Sequence, residues 1–353
     1  MDDNNNKIKI NMLSMADSVD GQGVGSAYLE LMKLLNEDGK NDFEIFLNKG
    51  TKYDVIHAHT VEPRNYLKLK FSKNPTVAYV HFLPDTLDGS IKLPKPIFKI
   101  FKKYVISFYK SADYLVVVNP IFKKDIAKAG IKEDKITYIP NFVSKEMFYK
   151  KTDKEIKDIR KKLGIKENKF VVLGAGQIQN RKGVIDFVEV AKKLPKIDFI
   201  WAGGFSFGGI TDGHHDLKKI MENPPKNVRF LGIVPRNEMN DLFNASDLLF
   251  VPSYNELFPM TILEAISTDT PILLRDLELY EDILFKKYLK GSNNDEFSEI
   301  IKLLSKEYLK QVENVKEISE FYSKEHVYKM WKEFYTEIAK KKKKEKKKRK
   351  KSE

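Results

Sequence analysis

Two glutamates, Glu256 and Glu264, stand eight residues apart, the first in a loop rich in Pro, Ser and Asn and the second inside a helix-forming segment. A carboxylate in such a loop can accept hydrogen bonds from sugar hydroxyls, and one two turns into the helix can accept from ribose hydroxyls. The unpaired amides at the helix start, near Met260 and Thr261, can bind a diphosphate. This arrangement suits a sugar nucleotide, although a bare pair at this spacing is more often two exposed helix residues.

Two cations, Arg181 and Lys182, stand before Gly183 at a predicted helix start, after a strand and a glycine turn that includes Gly176. Fixed cations stabilise the negative charge that builds up on two phosphates when a nucleotide departs. In a lysine-rich chain the alternative is a solvated basic pair. The position after a strand and a glycine turn favours a phosphate site.

A glycine-rich segment containing Gly23, Gly25 and Ser26 follows the first predicted strand and precedes a helical pattern. We expect its backbone to approach the diphosphate at Gly25 and Ser26 and the acceptor at Gly23. The spacing is not the dinucleotide-binding fingerprint, because Ser26 stands where a further glycine would be needed. Taken alone, such a segment is more often a flexible turn.

His81 directly follows the predicted strand 76–80, at the edge where open α/β sheets bind their ligands. Its imidazole could hydrogen-bond the transferred sugar or position the acceptor hydroxyl, although a lone histidine at a strand end is as often structural. Asp85 and Asn119 are further candidates for contacts with the acceptor.

Two other groups of histidines are expected to have no catalytic or metal-binding role. His57 and His59 fall on a buried-looking strand and at its exit, which predicts a structural role. The cluster 212–216 contains two aspartates and two histidines, but neighbouring loop residues rarely converge on one ion without a partner elsewhere. We therefore predict no metal site and no tightly bound cofactor, with Mg²⁺ at most a stimulant.

The length and composition fit a two-domain protein whose contact with any membrane is peripheral. The chain has 353 residues, too many for one ordinary core, and no cysteine, which excludes disulfides, thiolate metal sites and thiol nucleophiles. No run of about 18 apolar residues occurs, and the polar N-terminus does not resemble a signal peptide. The net charge is +5 over residues 1–150, −1 over 151–339 and +9 over 340–353.

Apolar strand-like runs alternate with amphipathic segments in two separate stretches, which predicts two doubly wound α/β domains. The runs are residues 8–12, 55–58, 76–80 and 114–118 in the first stretch, and 170–173, 198–202, 228–231, 248–251 and 271–274 in the second. We place the first domain at 1–145 and the second at 146–325. Residues 326–339 form an amphipathic helix, which could cross back to the first domain or cap its own. The lysine-rich tail 340–353 is expected to be disordered.

The segment 95–110 has five lysines and no acidic residue, and its apolar side chains fall on one broad face. That composition is typical of a helix lying in anionic lipid headgroups, and a core helix with lysines along its edge is the alternative. The basic tail would add a second electrostatic anchor. The predicted membrane contacts are Phe98, Lys99, Phe101, Lys102, Lys103 and Tyr104.

Three blocks of sequence resemble the retaining GT-B glycosyltransferases of family 4: residues 230–265, residues 174–183, and residues 12–29 with 79–87. Together they are similar to bacterial glycolipid synthases that add a second hexose to monoglucosyldiacylglycerol, up to about residue 338. Two departures stand out. The family's usual arginine after the first glycine of the phosphate loop is Gln177, and its common glycines after the first glutamate are Leu257 and Pro259.

The resemblance implies a retaining hexosyltransferase that uses UDP-glucose or UDP-galactose on the cytoplasmic side of the cell membrane. Glu256, Lys182 and His81 would act at the reacting sugar, and the amides near Ile233 would read the base. Diacylglycerol itself or a polysaccharide is the alternative acceptor. A nucleic-acid-binding protein, suggested by the pI of about 9.3, is disfavoured because the tail carries most of the charge.

Overall fold

Two parallel β-sheets of six strands each organise the structure, a computed structural model that describes residues 7–14, 23–49, 52–84, 94–205, 213–256, 258–306 and 315–352. The strands of the first sheet are β1 (Ile8–Leu13), β2 (Phe43–Leu47), β3 (Val55–Ala58), β4 (Thr76–Val80), β5 (Tyr114–Val117) and β6 (Ile136–Tyr138). Those of the second are β7 (Val171–Ala175), β8 (Asp198–Ala202), β9 (Val228–Phe230), β10 (Leu248–Val251), β11 (Ile272–Arg275) and β12 (Leu289–Gly291).

Helices cover the sheets and leave their carboxyl edges for the site. They are α1 (Gly23–Glu37), α2 (Pro63–Phe71), α3 (Lys95–Lys110), α4 (Phe122–Lys128), α5 (Asp153–Lys162), α6 (Val184–Lys193), α7 (His214–Glu222), α8 (Arg236–Ala245), α9 (Met260–Ser267), α10 (Leu279–Ile283), α11 (Asn294–Lys306), α12 (Val315–Phe321) and α13 (Lys324–Ser352). Prolines in the first turns of α2 and α3, and a capping box between Thr152 and Glu155 at α5, explain where these helices begin. None of the helices in the described ranges is both long and apolar enough to span a membrane.

The strand order is β2-β1-β3-β4-β5-β6 in the first sheet and β12-β11-β10-β7-β8-β9 in the second. The inner strands β3, β4, β7 and β10 are buried along their whole length, as expected when helices cover both faces of a parallel sheet. Because β7 and β10 are neighbours, the loops that follow them lie side by side. This adjacency brings the two predicted donor-binding segments together.

The last helix, α13, crosses back to the first domain. Trp331 and Tyr335 are buried, and the Tyr335 hydroxyl lies 2.6 Å from Nδ1 of His57 in β3. Lys332 also pairs with Asp42 beside β2, with 2.8 Å between Nζ and Oδ2. Of the two arrangements left open by the sequence, the helix therefore adopts the one that joins the domains.

The lysine-rich end of the chain differs from the expectation of disorder, because α13 continues through it to Ser352. Lysine has a high intrinsic helix propensity, and extending an existing helix avoids the cost of starting a new one. The composition alone therefore predicted too short a helix.

Candidate active site

The loops after β7 and β10 are packed tightly against each other. The first loop ends in a 3-10 turn, Asn180–Lys182, followed by Gly183 in the left-handed conformation with φ of +69°. A Cβ at Gly183 would stand 2.3 Å from the carbonyl oxygen of Pro252, so only glycine allows this approach. The amide of Tyr254 donates to the carbonyl of Arg181 at 2.8 Å, which fixes the second loop on the first.

The packed loops bring Glu256, Lys182 and Arg181 together in one ion-pair cluster. Nζ of Lys182 lies 2.5 Å from Oε1 of Glu256, and Nη1 of Arg181 lies 3.8 Å from Oε2. Arg181 also donates to the carbonyl of Asn255 at 3.1 Å. Glu256 is only 5% exposed, so the cluster is largely shielded from water. The sequence patterns indicated these three residues separately. The structure shows in addition that they pair directly with one another.

The electrostatics of the cluster keep Glu256 ionised. Burial alone would raise the pKa of the Glu256 carboxyl, but the charges of Lys182 and Arg181 outweigh it and hold the pKa below its usual value. Burial also lowers the pKa of the Lys182 ammonium, against the attraction of Glu256. The result is a carboxylate that can accept hydrogen bonds from hydroxyls, beside two cations that can neutralise a diphosphate.

A buried arginine that the sequence reading did not single out supports the Glu256 loop. Arg275, at the end of β11, donates from Nε to the carbonyl of Pro252 at 2.9 Å and pairs through Nη2 with Asp186 at 3.1 Å. Its guanidinium also lies 3.9 Å from the ring centre of Tyr254. These contacts fix the position of the loop that carries Glu256.

Glu264 lies in α9 and has a different environment. It is 5% exposed, and its nearest cation is Arg236, with 3.7 Å between Nη2 and Oε1. Nη1 of Arg236 makes a shorter contact, 2.8 Å, with Oε1 of Glu30 in α1 of the first domain. Burial raises the pKa of Glu264 to about 7, Arg236 opposes this rise, and the negative charge of Glu30 adds to it.

The start of α9 and the loop after β9 hold three further residues predicted to bind the donor. Met260 is buried, and Oγ1 of Thr261 is buried with no hydrogen-bond partner in the described part of the chain. Ile233 is exposed, and its side chain lies against Gly204. A ligand hydroxyl or phosphate at Thr261 would satisfy its unpaired oxygen.

The glycine positions differ in part from the expectation. The amide of Gly176, where φ is +142°, donates to the carbonyl of Ala202 at 2.9 Å, so Gly176 shapes the loop but does not offer its amide to a phosphate. Gly23, Gly25 and Ser26 lie in the first turn of α1 and not in a loop before it, because packing of the helix on the core overrides the low propensity of glycine.

His81 lies at the end of β4, as predicted, and is buried. Its Nε2 is 3.2 Å from Nδ1 of His59, and burial lowers its pKa to about 3. His81 is therefore a neutral imidazole that can exchange hydrogen bonds but does not carry a charge at neutral pH. His57 and His59 belong to the aromatic cluster with Tyr79, which agrees with the structural role predicted for them.

Asn119, one of the two further acceptor candidates, lies where the two domains meet. Asn119 is fully buried, donates from Nδ2 to the carbonyl of Leu279 at 3.0 Å, and accepts from the amide of Ile121 at 3.1 Å. This placement differs from the expected acceptor ligand, because the amide nitrogen bonds to the second domain and the side-chain oxygen to the backbone of the first. Asp85 lies outside the described residues.

The side chains of α3 that were predicted to face a membrane differ in their exposure. Lys99 and Lys103 are exposed, and Phe98, Phe101 and Lys102 are half-buried. Tyr104 instead turns inward, and its hydroxyl donates to the carbonyl of Val61 at 2.5 Å. The most exposed apolar side chains of the neighbourhood, absent from the prediction, are Ile97, Ile100, and Leu67 and Phe71 of α2.

The histidine cluster near α7 gives no sign of a metal site. His215 lies 3.4 Å from its neighbour Asp216, and both side chains are strongly exposed. Throughout the described ranges, no three His, Asp or Glu side chains are placed to hold a metal ion together. Asp212 lies outside those ranges.

Sequence comparisons assign the family. The model described as "Glycosyl transferases group 1" matches residues 155–321, and "Glycosyltransferase Family 4" matches residues 40–146. Alpha-galactosylglucosyldiacylglycerol synthase of Streptococcus pneumoniae is 48% identical over 93% of this chain and 89% of its own. The chain belongs to the family 4 glycosyltransferases. A processive diacylglycerol alpha-glucosyltransferase of Acholeplasma laidlawii is 29% identical over 90% of this chain and 94% of its own.

Solved structures confirm the GT-B fold of this glycosyltransferase. HepE of Anabaena, solved in complex with UDP and glucose, has a TM-score of 0.74 at 16% identity and covers 93% of this chain and 99% of its own. Sucrose-phosphate synthase of Thermosynechococcus elongatus has a TM-score of 0.76 at 13% identity, with 94% and 99% covered. At these identities the likeness concerns the fold, and the site rests on the geometry of this chain's own residues.

Proposed function

We propose that the enzyme transfers a hexose from UDP-glucose or UDP-galactose to the glucosyl headgroup of monoglucosyldiacylglycerol, giving a diglycosyldiacylglycerol. The observation that carries the proposal is the buried cluster of Glu256, Lys182 and Arg181 at the carboxyl ends of two neighbouring strands. The names of the two lipid-glycosylating relatives support the acceptor, and the UDP and glucose held by HepE support the donor.

Each part of the donor has a matching group in this cleft. Glu256 would accept hydrogen bonds from sugar hydroxyls, and Glu264, together with the unpaired hydroxyl of Thr261, would receive the ribose and the nearby phosphate. Lys182 and Arg181 would contact the diphosphate. The base would lie near Ile233, at the exposed side of the cleft.

The reaction forms a bond from the acceptor oxygen to the anomeric carbon and breaks the bond from that carbon to the phosphate oxygen. We propose that the departing phosphate oxygen takes the acceptor proton on the same face of the sugar, which retains the configuration. Lys182 and Arg181 stabilise the charge on the released diphosphate. Neutral His81 would hydrogen-bond the sugar or the acceptor hydroxyl without an ionic charge of its own.

Docking on an anionic membrane from the cytoplasmic side is a further part of the proposal. Helices α2 and α3 lie side by side, since the Tyr66 hydroxyl is 3.1 Å from Oγ of Ser107. Together they carry eight Lys and Arg and no acidic residue, and expose Leu67, Phe71 and Ile100. Exposed apolar side chains among lysines fit the interface of an anionic bilayer. The lysine-rich end of α13 would add to the attraction.

The substrates can be tested with purified protein and labelled UDP-glucose or UDP-galactose, offered with diacylglycerol or its monoglucoside in mixed micelles. We expect transfer from one of the donors to the monoglucoside, with the label in an alkali-stable diglycosyl headgroup. Diacylglycerol is the second candidate acceptor because the 29% identical relative is named for it. Transfer to neither lipid would contradict the proposed function.

The membrane surface is tested in the same assay by a Phe71→Ser, Ile100→Ser double variant. These side chains are 72% and 69% exposed, so their replacement should weaken binding to anionic vesicles and leave transfer in micelles unchanged. Leu303→Ser in α11 is the matched control, since Leu303 is also exposed and apolar but lies on the second domain. Equal vesicle binding by both variants would contradict this surface.

A further inference from the structure

Arg236 joins the two domains at the carboxylate proposed to bind ribose. It is the first residue of α8, in the second domain, and its guanidinium lies between Glu30 of α1 and Glu264 of α9. Glu30 is 4% exposed and Glu264 is 5% exposed, so two buried carboxylates lie on either side of a half-buried guanidinium. Burying an acidic residue in α1 at this depth is costly without a partner, and Arg236 is that partner.

The guanidinium of Arg236 lies closer to Glu30 than to Glu264. Its Nη1 lies 2.8 Å from Glu30, a charge-assisted hydrogen bond, whereas its Nη2 lies 3.7 Å from Glu264, too far for one. In the described part of the chain, Nη2 and Nε of Arg236 and Oε2 of Glu30 have no hydrogen-bond partner. Arg236 is thus bonded to Glu30 of the first domain, and the carboxylate oxygens of Glu264 remain able to accept hydrogen bonds from a ligand.

We propose that Glu30 is a positioning residue that keeps Glu264 open to the nucleoside by engaging Arg236 across the cleft. The inference rests on the proposed function, in which Glu264 accepts from the ribose hydroxyls. If α1 moved away from α9, Glu30 would leave with it, and Arg236 would close on the only remaining acid. Glu264 would then be occupied by an internal ion pair, so nucleotide affinity depends on the closed arrangement of the domains.

The test is calorimetric binding of UDP to the full-length protein, without acceptor or membrane. Glu30→Ala should weaken UDP binding by about tenfold and raise KM for the donor more than it lowers kcat. Removing Arg236 as well, in Glu30→Ala/Arg236→Ala, should recover part of the lost affinity, because nothing then closes on Glu264. Glu30→Gln, which can still accept from Arg236, should fall between the wild type and Glu30→Ala.

The control is Glu37→Ala, which removes an exposed acid from the same helix and should leave UDP affinity unchanged. Unchanged affinity in Glu30→Ala, or a double variant weaker than the single one, overturns the inference. Thermal melting of each variant separates a local effect from unfolding, and the recovery in the double variant is a result that a purely structural role of Glu30 would not give. Failure of the wild type to bind UDP would instead contradict the proposed function itself.

Discussion

Glu256 and Glu264 are eight residues apart and equally buried, yet their pKa values shift in opposite directions. Two cations stand against Glu256 and lower its pKa, in spite of burial. Burial raises the pKa of Glu264 to about 7, and Arg236, the cation beside it, also pairs with Glu30. The residues therefore differ in charge over part of the pH range, which suits Glu256 to the role of a permanent acceptor of hydroxyl hydrogens.

The opposite shifts predict opposite pH dependences of stability. Between the ordinary value of 4.5 and about 7, folded Glu264 keeps a proton that the unfolded chain releases, so its contribution to stability falls as the pH rises. Glu256 contributes stability above the unfolded pKa and loses it as the pH falls through its lowered folded pKa.

Melting temperatures of the ligand-free variants between pH 4 and 8 measure this difference. The melting temperature of Glu264→Gln, relative to that of the wild type, should rise by roughly 3 to 6 °C as the pH rises from 5 to 8. Glu256→Gln should be less stable than the wild type at pH 8, and its deficit should shrink toward pH 4. A parallel trend for the two variants would contradict the assigned environments.

Residue types and local spacing were enough to propose Glu256, Glu264, Lys182 and His81 as site residues. They could not predict partners, because Lys182 and Glu256 are 74 residues apart in the chain and meet only through the pairing of β7 with β10. Glu30 and Arg236 were missed for the same reason. Nothing in a linear pattern marks an acid in a helix as buried against a cation of the other domain.

At the scale of elements, the site depends on one close approach between two loops. Gly183→Ala would place a Cβ 2.3 Å from the carbonyl oxygen of Pro252 and push away the loop that carries Glu256. A shift of about 1 Å at a reacting group can cost roughly 10²-fold in rate, and we expect a loss of that order in initial rates of transfer.

Gly164→Ala is the matched control for this prediction. Gly164 also has a positive φ, +65°, but nothing lies within 4 Å of an added Cβ. Its replacement should cost about 1 to 2 kcal/mol of backbone strain and leave transfer unchanged. If the two variants retain the same activity, the loop contact is not needed for the reaction.

The elements predicted from sequence were those that are buried on both faces. Continuous apolar runs gave β3, β4, β8 and β10 with their observed bounds, because both faces of these strands meet helices. The strands that escaped notice, β2, β6 and β12, all lie at sheet edges and are short or half-exposed. An edge strand has no continuous apolar run to reveal it.

At the level of the whole molecule, contacts in separate parts of the described ranges join the two domains, among them the following three. The last helix packs Trp331 and Tyr335 on the first sheet, Asn119 bonds to Leu279, and Glu30 bonds to Arg236. The first contact was one of two arrangements that the periodicity of residues 327–338 allowed. The other two depend on tertiary proximity alone, and no sequence signal in this chain announces them.

Charge is also distributed by domain. The net charge of −1 over residues 151–339 surrounds a site whose two cations are buried against Glu256, whereas the positive charge belongs to the first domain and the chain end. The proposed donor site and the proposed membrane surface thus lie on different domains. The acceptor headgroup would meet the donor in the cleft between them.

The initial rate of hexose transfer by Lys182→Ala in mixed micelles tests most directly whether the ion-pair cluster with Glu256 is the active site. We expect a loss of about 10² to 10³-fold with unchanged binding to anionic vesicles. Lys182 would stabilise the leaving diphosphate and is not part of the proposed membrane surface. Lys193→Ala, which removes an exposed lysine of α6 that pairs with Asp295 of α11, should stay near the wild-type rate. A Lys182→Ala enzyme that keeps more than about a tenth of the wild-type rate would contradict the role proposed for Lys182.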